Sequence, residues 1–212
     1  MDRVVVVVGA SQGGVQALRA LIGGLPAYFP APVLIVLHVG AGPSLLPALL
    51  DDRVRLRASH ASDGVALEAG RVLVAPPDRH LVIVDGHVAL TAGPKENWAR
   101  PAIDPLFRSA AETFGPGAIG VLLTGQLNDG VSGLWEIKRC GGVAIVQDPD
   151  DAEAPSMPRG AIDNVAIDYC LPLGQIADRL VRLTTGRSDG VRNRRRFSRE
   201  RTPPLHSNSA AD

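Results

Sequence analysis

Four short runs of aliphatic residues, at 4–8, 33–37, 119–123 and 143–146, show no alternation with polar positions. Unbroken runs of this kind are expected of strands covered by helices on both faces, as in a parallel sheet. Between them the spacing changes to three and four. Val15, Leu18, Leu21 and Ile22 form one such stripe, Leu106, Ala110 and Phe114 another, and residues 175–183 supply a last helix. The alternation predicts an α/β fold: a doubly wound, mostly parallel sheet flanked by helices. Residues 71–90 break the rhythm. Residues 81–84 and 87–90 flank Asp85-Gly86, a pair suited to a two-residue hairpin turn, so a small antiparallel insertion is expected there.

After Gly186 the apolar pattern stops, and Arg, Ser, Asn and Pro take over. The 212 residues therefore divide into a single domain over 1–186 and an arginine-rich, disordered tail over 187–212. Hydrophobic residues at 45% and charged residues at 21% place the bulk of the chain among ordinary globular domains. The formal net charge of zero averages two unlike parts. From Arg187 onward seven arginines face Asp189, Glu200 and Asp212, which leaves the domain mildly acidic. Such a tail reads as a solvated chain end or as a contact for something anionic. With Phe197 as its one aromatic and no nucleic-acid fold signature, no nucleic-acid partner is expected. Two cysteines, Cys140 and Cys170, cannot build a disulfide framework and read as packing thiols. The opening valine run is too brief for a signal peptide, and no apolar run is long enough to span a bilayer, so a cytoplasmic protein without membrane insertion is expected.

Ligands of open α/β sheets bind at the carboxyl ends of strands. Ser11 follows the first run in "VVVGASQGG", His38 the second in "LIVLHVG", and Asp129 the third in "VLLTGQLNDG". A serine hydroxyl becomes a nucleophile when a histidine takes its proton, and a carboxylate fixes that histidine's tautomer. Each residue also has a plainer reading. Ser11 fits a helix N-cap or a phosphate-binding turn, His38 a hydrogen-bonded strand end, and Asp129 the cap of a helix running to Arg139. The main rival function is a nucleotide-binding oxidoreductase, because "GASQGG" after a first strand is similar to a dinucleotide-binding turn. Against it, no acid closes the second strand, and neither Tyr28 nor Tyr169 has a lysine four residues later.

A collinear series of motifs resembles the catalytic domain of chemotaxis protein-glutamate methylesterases, the CheB type. It runs from "VVVGASQGGVQAL" through "VLIVLHV", "VLVAPPDRHLVI", "RPAIDPLFRSAAETFG", "GVLLTGQLNDGVSGL" and "GGVAIVQDPDDAEAPSMPRGAI" to "CLPLGQIADRL", about residues 3–183. The resemblance implies a serine hydrolase that removes methyl esters from glutamates on chemoreceptor cytoplasmic helices, releasing methanol, with glutamine deamidation as a second activity. It implies Ser11 as nucleophile, His38 as general base and then acid, and Asp129 as the group that orients His38. Backbone N–H groups of Gln12 and Gln126 would form the oxyanion hole. No cofactor is implied. Family members usually carry Thr after the serine and Thr-Gly-Met-Gly before the acid. Here Gln12 and "TGQL" stand in those places, and Leu127 takes the place of a glycine. That departure leaves a catalytically altered or inactive binding homologue as an alternative. Members with a receiver domain are controlled by its phosphorylation. This chain starts at the first catalytic-domain strand, so regulation is expected from a partner in trans, from expression or from the tail.

Arg100, Asp104 and Arg108 lie four residues apart and read as a surface ion-pair ladder, with His80 of the same standing. His60, His87 and His206 fit no metal-binding spacing, and no metal is expected.

Overall fold

The computed structural model describes residues 4–38, 42–51 and 56–186. The arginine-rich tail inferred over 187–212 lies outside the described residues. Strand β1 (Val5–Ala10) leads into α1 (Gly14–Gly23), and β2 (Val33–Leu37) into α2 (Leu46–Asp51). Strands β3 (Arg57–His60) and β4 (Arg71–Val74) precede the hairpin β5 (His80–Val84) and β6 (His87–Thr91). Then come α3 (Ile103–Phe114), β7 (Ala118–Leu122), α4 (Val131–Arg139), β8 (Val143–Gln147), α5 (Ser156–Asn164), β9 (Tyr169–Leu171) and α6 (Leu173–Thr184).

Seven of the strands form one sheet in the order β3-β4-β2-β1-β7-β8-β9, and every pairing is parallel. The valine run is explained by its two faces. Val6 and Val8 pack with Leu18, Leu21 and Ile22 of α1 and with Ile176 and Leu180 of α6. Val5 and Val7 face the opposite way, toward Phe107 of α3 and Leu134 and Ile137 of α4. Each side of the strand needs an apolar residue, so no polar position interrupts it.

The hairpin forms a separate antiparallel pair, and its Asp85 and Gly86 both take positive φ, 50° and 75°, as a tight two-residue turn of this hand requires. It docks on α3 through Leu81 and Ile83 and through the Ile83 amide, which donates to Ser109 Oγ at 3.0 Å. Two differences from the sequence expectation stand out. Residues 71–74, inside the segment expected to be antiparallel, join the main sheet as β4, beside the unanticipated strand β3. At the opposite edge β9 is only three residues long. Both "RASH" and "YCL" are partly exposed edge strands, which need no apolar run. Cys170 on β9 is exposed and is not a packing thiol, whereas Cys140 packs against the α3–α4 side of the core. Among the described residues no helix is long and apolar enough to cross a membrane.

Helices α3 and α4 approach closely at Gly133. A Cβ there would sit 2.5 Å from Phe107 Cβ and 3.0 Å from the Asp104 carbonyl oxygen. Gly133→Ala is therefore expected to destabilise the fold by about 1–2 kcal/mol in urea unfolding, the overpacking outweighing alanine's helix preference. An unchanged or raised stability would show that the two helices can move apart freely.

Candidate active site

The three central strands, β2, β1 and β7, end side by side, and the loops that follow them carry the candidate residues. Ser11 is the residue after β1 and His38 the residue after β2. Asp129 sits in the loop between β7 and α4. The ladder continues past the strand ends: the Ser11 amide donates to the Thr124 carbonyl at 3.0 Å and the His38 amide to the Ala10 carbonyl at 3.2 Å. Thr124 Oγ1 donates to the Gln12 carbonyl at 3.0 Å, stapling the serine turn to the β7 loop. Ser11 is no helix cap. Its carbonyl accepts from Gly14 N–H at 2.9 Å, Gly13 at φ 74° caps α1, and its hydroxyl is turned toward His38.

The structure brings the three side chains together. Ser11 Oγ lies 3.1 Å from His38 Nδ1, and His38 Nε2 lies 2.7 Å from Asp129 Oδ2. An ionised Asp129 only accepts, so Nε2 carries the proton and Nδ1 is left to accept the Ser11 hydroxyl. Asp129 itself is 1% exposed. Its Oδ2 also accepts from the Ile103 amide at 2.7 Å. Oδ1 accepts from the Asp104 amide at 3.1 Å and from Asn97 Nδ2 at 2.8 Å. Burial pushes this carboxyl up, but the His38 hydrogen bond and the α3 amides outweigh it, and the net pKa is below the usual aspartate range.

Ile103 and Asp104 open α3, whose N-cap residue, Ala102, offers no side-chain cap. Asp129 therefore caps the neighbouring helix α3, not its own helix α4, which starts behind Gly130. Asp104 reciprocates. Its Oδ1 accepts from Gly133 N–H in the first turn of α4 at 2.6 Å, and its Oδ2 from Asn97 Nδ2 at 2.9 Å. Burial, with the Asp129 charge beside it, holds the Asp104 carboxyl above the ordinary range despite these bonds. The expected ion-pair ladder does not exist. Helix α3 begins after Arg100, Asp104 is buried, Arg100 pairs with Asp78, and Arg108 pairs with Glu96. His80 is likewise buried, accepting from the Ala102 amide and donating to the Pro94 carbonyl. Asn97, which bridges both carboxylates, has no signal in the sequence, because its role depends on a turn brought up against two distant residues.

The CheB methylesterase family profile matches residues 6–180. The chain belongs to the CheB methylesterase family. It is 39% identical to a putative protein-glutamate methylesterase/protein-glutamine glutaminase of Leptospira interrogans, over 86% of this chain and 96% of that one. It is 43% identical to protein-glutamate methylesterase/protein-glutamine glutaminase 2 of Anaeromyxobacter dehalogenans over 85% of this chain, and spans 53% of that longer protein. Among solved structures, the CheB methylesterase catalytic domain of Thermotoga maritima superposes with a TM-score of 0.82 at 35% identity, covering 86% of this chain and 100% of that one.

Within this CheB-type site the unusual glutamines face one another. Gln126 Nε2 donates to Gln12 Oε1 at 3.3 Å, so the two loops they sit on meet beside Ser11. Neither backbone N–H has an acceptor among the described residues. Leu127 keeps the backbone shape its glycine-favouring position demands, at φ 65°, with its amide donating to Ser156 Oγ at 3.1 Å. Left-handed backbone costs a leucine about 1–2 kcal/mol.

Because Asp129 satisfies four donors, Asp129→Asn should lower unfolding free energy by on the order of 3 kcal/mol at pH 7. The sign with pH follows from the depressed folded value. The wild-type advantage is complete above about pH 4, the ordinary aspartate range, and shrinks as pH falls through the lower folded value. Denaturant titrations of both proteins from pH 7 to 2.5 check this, and an advantage that grows toward acid would contradict it. Leu127→Gly should raise the thermal midpoint by about 2–4 °C, since it relieves roughly 1 kcal/mol of strain at a position that is 66% exposed.

Proposed function

We propose that this protein is a serine hydrolase that cleaves the methyl ester of glutamate side chains on a chemoreceptor, and the amide of glutamine as a second reaction. The observation that carries the reading is the continuous hydrogen-bonded path from Ser11 Oγ through His38 to buried Asp129. It supports a nucleophile, a base and an orienting acid in one line. The family membership and the names of its relatives support the ester as substrate.

In this reading Ser11 Oγ attacks the ester carbonyl carbon while His38 Nδ1 takes the hydroxyl proton. Asp129 stabilises the imidazolium without taking its proton. The carbonyl oxygen becomes an oxyanion, held by the Gln12 and Gln126 N–H groups, each worth about 2.7–4 kcal/mol in the transition state. Collapse breaks the bond to the methoxy oxygen, His38 returns the proton to it, and methanol leaves an acyl-serine. Water then attacks with His38 again as base, which frees the glutamate and restores Ser11. With glutamine the departing group is ammonia. The side-chain amides of Gln12 and Gln126 bond each other without replacing the backbone donors. The methylated glutamates lie on the receptor's cytoplasmic helices, so the enzyme acts in the cytoplasm.

The test is methanol release from methylated receptor. Wild type is expected to release it, and Ser11→Ala to lower kcat by about 10⁴-fold or more. A fluorophosphonate should label Ser11 in wild type and fail to label His38→Ala. If wild type releases no methanol where a known methylesterase does, the reading fails.

A further inference from the structure

Five non-glycine residues among those described have positive φ, and three of them, Asp78, Asp85 and Asn97, are of the types that tolerate it. The other two are Trp98 at 64° and Leu127 at 65°. Large side chains in this region are outliers that persist only where the surroundings impose them. Neither is repaid by burial in the folded chain, since Trp98 is 92% exposed and Leu127 66% exposed. Both are tied through the chain to the same carboxylate. Leu127 is two residues before Asp129 in the β7–α4 loop, and Trp98 follows Asn97, whose side chain donates to Asp129 Oδ1.

The Trp98 turn is rigid. Glu96 and Ala99 exchange both backbone hydrogen bonds, at 3.2 and 2.8 Å, so Asn97 and Trp98 are the central residues of a tight turn in which the second position favours glycine. The flanks are pinned. Both Glu96 oxygens accept from Arg108 Nη2 at 2.8 Å. Arg100 donates to Asp78 Oδ1 at 2.8 and 2.7 Å and to the Gly93 carbonyl at 2.7 Å. His80 donates to the Pro94 carbonyl. A fixed turn thus holds an indole in solvent, one residue from the amide that bonds Asp129.

We infer that Trp98, with Leu127, is the docking contact for the substrate protein, packing on apolar side chains of the receptor helix next to the methylated glutamate. The inference rests on the methylesterase reading above and names how that substrate is gripped. A pre-set aromatic loses little freedom on binding, which is what makes an exposed tryptophan an effective anchor. The occupant follows from position: Asn97, next to Trp98, is linked to Ser11 through Asp129 and His38, and Leu127 shares the loop of Asp129, so a helix that presents its glutamate to Ser11 is the partner these two side chains are placed to meet.

Turnover is measured with the full chain on two substrates: a purified chemoreceptor cytoplasmic fragment carrying glutamate methyl esters, and p-nitrophenyl acetate. Trp98→Ala is expected to lower the ratio of kcat/KM for the fragment to that for the small ester about tenfold, through KM. Trp98→Phe recovers most of the ratio. Trp98→Gly lowers the ratio while raising the thermal midpoint. An unchanged ratio, or equal losses on both substrates, overturns the inference. Docking is read separately by fluorescence. The chain has two tryptophans, so in a Ser11→Ala, Trp135→Phe chain the emission reports Trp98. A blue shift on adding the fragment supports docking even if wild type releases no methanol, which would sink the methylesterase reading alone. Unshifted emission overturns docking even if methanol is released.

Discussion

The site depends on one buried carboxylate and the four donors aimed at it. Asp129 ties the β7 loop that carries it to three segments at least 25 residues away in sequence: His38 after β2, the N-terminus of α3, and the turn bearing Asn97. A carboxylate has about four lone-pair sites, and here each is used, so its orientation is over-determined. That orientation in turn sets the imidazole. Helix N-termini favour negative charge, and α3 supplies two of the four donors, so the ionised state is built into the helix arrangement and is not left to solvent.

Asp104 makes the arrangement reciprocal. Each of the two acids caps the helix that the other introduces, and one amide, Asn97 Nδ2, lies between them. The close approach at Gly133 is what allows the second cap, because a side chain there would hold α3 away from α4. Packing and electrostatics thus meet at one contact. Two like charges this near one another are tolerated because they divide the work: burial and the neighbouring charge raise Asp104, while His38 and the amides lower Asp129.

The central strands were legible because helices cover both of their faces, which leaves continuous aliphatic runs at β1, β2, β7 and β8. Ser11, His38 and Asp129 were legible from their places after those runs, and the motif series tied them together. Edge strands β3 and β9 were not, since a strand half open to water carries no such run. Asp104 was misplaced for a different reason. Its spacing from Arg100 and Arg108 suggested a ladder, but the helix starts at Ile103 and rotates the carboxylate inward. Asn97 acts through a turn and two contacts 7 and 32 residues away, and no local pattern encodes that.

The unequal standing of the three aligned residues has an evolutionary corollary. Asp129 holds the architecture, so a descendant that abandoned chemistry would still be compelled to keep it. Among the described residues the Ser11 hydroxyl bonds to His38 alone, and its removal leaves both helix caps intact. The acid is therefore tied to the fold, whereas the serine is free to change without disturbing it.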